Sequence, residues 1–328
     1  MDRRAARTGL RERARPHAHV QHLLRLIPSS VPPSERPHHM SRRDIVTAIP
    51  TSFHADGSLD IEGSRAIFRY VAQSGNEGAF VLGTTGEFPA IDEDEFRALV
   101  AAALEDLGGR MRVIVHVGRS SAFEAVRRVE IARELGAREF AALTPYYLAS
   151  AEGAVESYFE AVSEAVGDGS LFVYVYPKRS GIEVSPALLA RLAKLPNVIG
   201  AKISEMSLDD IAAYRSVVDD DFVLYTGADR DLVAAGEVGA QGVVSGVSSV
   251  LPKPFRALAA AADSGDSETI ASAQAAVDDV VRIIGGDMPR MKAALRSMGV
   301  ADGRSRMALV EPDDEALAEI DRVIAAYR

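Results

Sequence analysis

The chain has 328 residues, with 37 Lys+Arg against 47 Asp+Glu, a formal net charge of −10, and 47% hydrophobic residues. That composition is globular and excludes wholesale disorder, and the acidic balance argues against general nucleic-acid binding. There is no cysteine, which excludes a disulfide framework, a thiolate zinc site, an iron–sulfur cluster and a cysteine nucleophile. The apolar runs are broken by charge or glycine well short of the roughly 18 residues of a membrane span, so no membrane segment is expected.

Charge is unevenly spread. Residues 1–39 hold eight Arg against three acids, leaving 29 basic and 44 acidic residues, a net −15, for the remainder. This first stretch is rich in Arg, Pro and His and has no apolar core long enough for a secretory signal. An Arg-rich, acid-poor stretch also fits an organelle transit peptide, but the plainer reading is a disordered or dispensable N-terminal extension, with the folded part beginning near Met40.

From residue 44 short β-branched runs alternate with amphipathic stretches. The predicted strands are Asp44–Ile49, Ala79–Leu82, Arg112–His116, Phe140–Leu143, Leu171–Tyr176, Val198–Ile203, Phe222–Tyr225 and Gly242–Ser245. Between them helices are predicted over Ile61–Ser74, Asp92–Leu107, Ser121–Leu135, Glu152–Val166, Ser185–Lys194, Ser207–Val218 and Asp229–Glu237. Capping residues open several of these, as at Ser185-Pro186 and Ser207, and Gly75, Gly108 and Gly136 close others. Eight such units predict an α/β fold, a closed (β/α)8 TIM barrel over residues 40–250. No glycine-rich GxGxxG follows the first strand, which removes the main support for a dinucleotide fold. Four further helical segments, Pro254–Ala262, Ser267–Ile284, Pro289–Met298 and Glu315–Tyr327, supply the eighth barrel helix and a C-terminal three-helix appendage over residues 251–328.

A barrel places its chemistry at the C-terminal ends of the strands. Lys202 is out of place there, alone in the apolar run Val198-Ile199-Gly200-Ala201-Lys202-Ile203. Burial lowers a lysine pKa, and a neutral amine attacks carbonyl carbon to form a Schiff base. The plainer reading is a lysine that snorkels outward or pairs with Glu205. Thr84-Thr85 lies between Gly83 and Gly86, where backbone and hydroxyls can converge on a carboxylate, or simply form a turn. Tyr174 and Tyr176 share one face of their strand, and spacing leaves open whether it faces the barrel interior or the helices.

Taken together, GTTGE after strand two, TPYY after strand four, YVYPKRSG after strand five and GAKISE after strand six resemble the dihydrodipicolinate synthase / N-acetylneuraminate lyase family over residues 44–328. The resemblance implies a barrel enzyme that forms an imine with pyruvate or a related 2-oxo acid. It implies a cytoplasmic homo-oligomer, dimer or tetramer, without a metal or an organic cofactor. It further implies that Lys202 carries the imine, that Tyr174 shuttles protons, and that Thr84 and Thr85, beside Gly83, bind the 2-oxo acid carboxylate. By the same resemblance Tyr147 reaches across a dimer interface into the neighbouring site, and Val244 turns its carbonyl to the substrate.

Arg179 matches the arginine with which the synthases hold the carboxylate of aspartate semialdehyde, which favours a synthase-like condensation. Val115-His116-Val117-Gly118 and Asp229 look more like the lyases and 2-keto-3-deoxy sugar-acid aldolases, although Arg230 replaces an acid found beside Asp229 in those enzymes. An aldolase or dehydratase acting on a sugar acid is therefore the alternative. Other classes have less support. A metal-dependent hydrolase would have only His54 and His116 near the barrel mouth. A phosphate-binding barrel would rely on Gly227 and Gly246. A catalytically silent binding barrel would not need the lysine, tyrosine and threonine set.

Overall fold

Eight parallel strands close on themselves in sequence order, β1 (Asp44–Ala48), β2 (Gly78–Val81), β3 (Arg112–His116), β4 (Glu139–Leu143), β5 (Ser170–Val175), β6 (Val198–Ile203), β7 (Val223–Thr226) and β8 (Gly242–Ser245), with β8 paired to β1. The computed structural model describes residues 43–328. The extension predicted over residues 1–39 lies outside the described residues.

The crossovers are helical. They comprise α1 (Ile61–Val71), α2 (Glu93–Leu107), α3 (Ala122–Glu134), α4 (Glu152–Val166), the single turn α5 (Pro177–Ser180), α6 (Pro186–Leu192), α7 (Leu208–Arg215) and α8 (Leu232–Glu237). After β8 come α9 (Pro252–Ser264), in the place of the eighth barrel helix, and then α10 (Ser267–Ile284), α11 (Met288–Ser297) and α12 (Asp314–Tyr327). Caps set many starts. Asp92 and Glu95 form a reciprocal capping box on α2, and Ser207 and Asp210 form another on α7. Every predicted strand is present within two residues at each end. The predicted helix over Asp229–Glu237 divides, because Asp229–Asp231 makes a tight 3-10 turn before α8 begins.

The strands alternate between two apolar layers. Outward residues such as Val81, Val173, Ala201 and Val243 join the helices in the larger core. Inward residues Val46, Phe80, Ile114, Ala141, Phe172, Tyr174, Tyr225 and Val244 fill the barrel. Tyr174 and Tyr176 both belong to the inner layer, which resolves the choice left open by spacing. Gly200 is required where β6 shifts register against β5: a Cβ there would lie 2.4 Å from the Val223 carbonyl and 2.6 Å from the Phe172 ring.

The N-terminal end of the barrel is plugged by polar groups. The Tyr225 hydroxyl donates to Asp44 at 2.9 Å and accepts from Arg112 at 3.1 Å, while Arg112 also pairs with Glu139. The C-terminal end is left for the site.

Candidate active site

Lys202 stands on β6 with its side chain inside the barrel, 6% exposed. Its Nζ lies 4.2 Å from the centre of the Tyr174 ring and 4.5 Å from that of Phe80. It neither snorkels nor pairs with Glu205, whose carboxylate is held by Lys178 at 3.2 Å and by the Tyr176 hydroxyl. Burial lowers the Lys202 pKa to about 7, opposed by the negative charge of Asp229. A large share of the amine is thus neutral near pH 7, the form that attacks carbonyl carbon.

Tyr174 lies beside Lys202 because β5 and β6 pair in register, Tyr174 opposite Lys202. Its hydroxyl is 3.2 Å from the Thr84 hydroxyl. Burial raises the Tyr174 pKa, against the hydrogen bonds from Thr84 and Ser204 and the positive charge of Arg179. The phenol is therefore a neutral hydrogen-bonding group within reach of the Thr84 hydroxyl. Thr84 and Thr85 occupy the tight turn after β2, where the Gly86 and Glu87 amides bond back to the Gly83 and Thr84 carbonyls at 3.0 Å each. Gly83 is needed here, since a Cβ would come within 2.7 Å of the Phe80 ring that also faces Lys202.

Val244 is buried in the inner layer, paired in register with Val46. Asp229 lies just beyond β7, where the Ser245 hydroxyl donates to its carboxylate. Burial raises its pKa to about 6, despite that hydrogen bond and the charge of Lys202. Arg179 is on the α5 turn, its Nε 3.4 Å from the Tyr176 hydroxyl, and it forms no ion pair with a carboxylate among the described residues. Tyr147 stands apart from this group. Its side chain is 93% exposed, on a backbone of φ 82°, while its neighbour Tyr146 packs edge-on against Phe88 at 5.6 Å.

His116 is not a free ligand at the mouth. Its Nε2 accepts from the Leu143 amide at 3.2 Å, so the proton is on Nδ1, which donates to the Leu82 carbonyl at 3.0 Å. Both ring nitrogens are spent on tying β2 and β4 across β3. Burial, with the nearby Lys202 charge, lowers its pKa to about 3, so the ring is neutral. His54 is exposed, 3.9 Å from Asp60. Among the described residues no cluster of three or more His, Asp or Glu side chains is arranged to hold a metal ion.

Comparisons with known proteins identify the family. Residues 41–327 match the model of the dihydrodipicolinate synthetase family. The chain belongs to that family. It is 32% identical over 288 residues to a 4-hydroxy-tetrahydrodipicolinate synthase of Azoarcus sp., covering 86% of this chain and 96% of the relative. Among solved structures it resembles the dihydrodipicolinate synthase of Thermotoga maritima, with a TM-score of 0.80 at 32% identity, over 87% of this chain and 98% of that one. The N-acetylneuraminate lyase of Mycoplasma synoviae shares the fold, with a TM-score of 0.79 at 24% identity, over 88% of this chain and 99% of that one.

In this dihydrodipicolinate synthetase family member the sequence reading missed a second buried lysine. Lys292, 1% exposed on α11, pairs with Glu87, the last residue of GTTGE, which is 0% exposed. The signal was weaker than for Lys202: Lys292 sits between Met291 and Ala293-Ala294-Leu295, but Arg290 and Arg296 stand close on either side. The Tyr176–Glu205 contact also escaped notice, because nothing in the sequence ties the residue that follows β5 to one 29 positions later.

Proposed function

We propose that this chain condenses pyruvate, or a related 2-oxo acid, with an acidic aldehyde through an imine on Lys202. The observation that carries this reading is the convergence of a buried, partly neutral lysine with the Tyr174–Thr84 hydroxyl pair at one end of the barrel. The Lys202 amine attacks the ketone carbon, and the carbinolamine loses water to give an iminium. The iminium draws electrons from the adjacent carbon, which releases a proton to give an enamine. Tyr174 and Thr84 are placed to carry these protons. The enamine carbon then attacks the aldehyde carbon, the aldehyde oxygen takes a proton, and water releases the product from Lys202. The iminium itself serves as the electron sink, so the scheme calls on no metal or organic cofactor.

Thr84, Thr85 and Gly83 hold the 2-oxo acid carboxylate in this scheme, with the Val244 carbonyl facing the substrate. Arg179 holds the acidic group of the aldehyde. A guanidinium suits a carboxylate, which favours the condensation over a sugar-acid aldolase or dehydratase. Asp229 contributes a further acceptor for a hydroxyl or amine of the second substrate. Tyr147, exposed on the rim, completes the proton path of a neighbouring subunit in a dimer or tetramer. No helix of the described residues is long and apolar enough to cross a membrane.

Borohydride reduction with pyruvate tests the reading. One reduced pyruvyl group is expected, mapped by peptide mass to Lys202 and absent from Lys202→Ala. A label on Lys178, Lys194 or Lys292, or no adduct with any 2-oxo acid across a range of pH, would overturn it and leave a binding barrel.

A further inference from the structure

The carboxylate of Glu87 takes its hydrogen bonds from the C-terminal third of the chain. It pairs with the Lys292 ammonium and accepts from the backbone amides of Arg306 at 2.9 Å and Met307 at 2.7 Å. Lys292 donates in addition to the Arg304 carbonyl at 2.8 Å, and its Nζ lies 4.9 Å from the centre of the Phe53 ring. The Arg306 guanidinium packs 4.2 Å from the centre of the same ring and forms a two-armed pair with Glu95 at 2.6 Å. Phe53 and Arg304 are bridged through the backbone, the Arg304 amide donating to Phe53 at 2.8 Å. The C-terminal segment is therefore locked to the barrel at one fully buried point.

That point adjoins the pyruvate cradle. Glu87 holds a left-handed backbone, φ 54°, which a residue with a Cβ adopts only when its surroundings impose it. Its own amide closes the turn onto the Thr84 carbonyl at 3.0 Å, so a displacement of Glu87 is passed to Thr84, whose hydroxyl meets Tyr174. On the other side of the turn, Met291 of α11 and the Thr85 hydroxyl both crowd Gly246, lying 2.7 and 3.4 Å from where a Cβ would stand there. A buried ion pair is an expensive way to hold two elements together, and an apolar pair would often be as stable. What it supplies is a defined geometry with charged, directional bonds.

We propose that Glu87 and Lys292 are positioning residues for the carboxylate of the 2-oxo acid, through which α11 and residues 304–307 fix the Thr84-Thr85 turn. This rests on the reading of that turn as the carboxylate cradle. The C-terminal helices are then part of the substrate-binding apparatus and more than a cover for the barrel.

The test uses Glu87→Gln, Lys292→Met and the double variant Glu87→Gln/Lys292→Met, which leaves no unpaired buried charge. In each variant that keeps the native circular dichroism spectrum, KM for pyruvate should rise at least tenfold. KM for the aldehyde should stay within twofold, and borohydride labelling of Lys202 at saturating pyruvate should remain complete. A purely structural pair would shift both KM values together or neither. Unchanged pyruvate KM, an equal rise for both substrates, or loss of the native spectrum in all three variants would overturn the proposal. The unsubstituted protein separates this inference from the functional reading. If it forms no adduct with a 2-oxo acid, the functional reading fails. If it forms the adduct and the variants bind pyruvate normally, only the positioning role fails.

Discussion

At the scale of the residue, Lys202 is buried at a cost in stability. Its pKa is about 7 in the folded chain against ~10.4 in an unfolded one. Between those values the unfolded state binds more protons, so this lysine's contribution to stability improves as pH rises through the window, and the burial penalty is full below about pH 7. Lys202→Met should abolish turnover and stabilise the fold by about 1–2 kcal/mol at neutral pH. Urea unfolding should show the gap narrowing towards pH 10; a variant less stable than the parent at neutral pH would contradict this account. His116 has the opposite purpose. His116→Ala would leave the Leu82 carbonyl and the Leu143 amide unpaired, at about 2–4 kcal/mol in guanidinium unfolding. Its pKa of about 3 lies below the unfolded ~6.5, so its contribution is present above that value and is lost as pH falls towards 3. The parent should therefore lose more stability than the variant when taken from pH 7 to pH 4. Chain order showed His116 as a lyase-like feature at the mouth, but only its two hydrogen-bond partners reveal a clasp.

At the scale of the element, two turns decide the site. The turn after β2 is bracketed by Leu82 at φ 60° and Glu87 at φ 54°, each strained by about 1–3 kcal/mol for a residue with a Cβ. Each strained residue is held from outside, Leu82 by His116 and Glu87 by the C-terminal segment. The other turn is α5, which closes on Gly181 at φ 72° and carries Lys178 and Arg179. The Tyr176 hydroxyl meets Arg179, and Glu205 meets both Tyr176 and Lys178, so the two turns after β5 and β6 form one polar cluster. Loss of a hydrogen bond to a charged partner is worth about 1.5–3 kcal/mol, or roughly 10- to 150-fold in affinity. Arg179→Ala should raise KM for an acidic aldehyde by that factor and leave KM for pyruvate almost unchanged. Loss of pyruvate binding instead would place Arg179 in the wrong half of the site.

At the scale of the whole molecule, the family match begins at residue 41 and the barrel at Asp44, so a chain starting at Met40 should equal the full chain in melting temperature and turnover. A fall of more than a few degrees, or a change in sedimentation behaviour, would show that residues 1–39 matter to the assembly. The order and number of strands, most helix ends and the address of Lys202, Tyr174 and Thr84 were legible in the sequence. These are consequences of local periodicity, of capping residues and of a topology that sends strand ends to one face. Which way Tyr174 and Tyr176 point was not legible, because alternation alone cannot say which face of a strand is inside. The partners of His116, the Tyr176–Glu205 contact and the Lys292–Glu87 lock were invisible for another reason. They join residues 27 to 205 positions apart, and only closure of the barrel and the return of α11 bring them together. The sequence by itself determined the fold and singled out Lys202 as a candidate, since both are written in short-range pattern. The tertiary structure alone decided which charges are buried and what holds them, since desolvation depends on the neighbours that packing supplies.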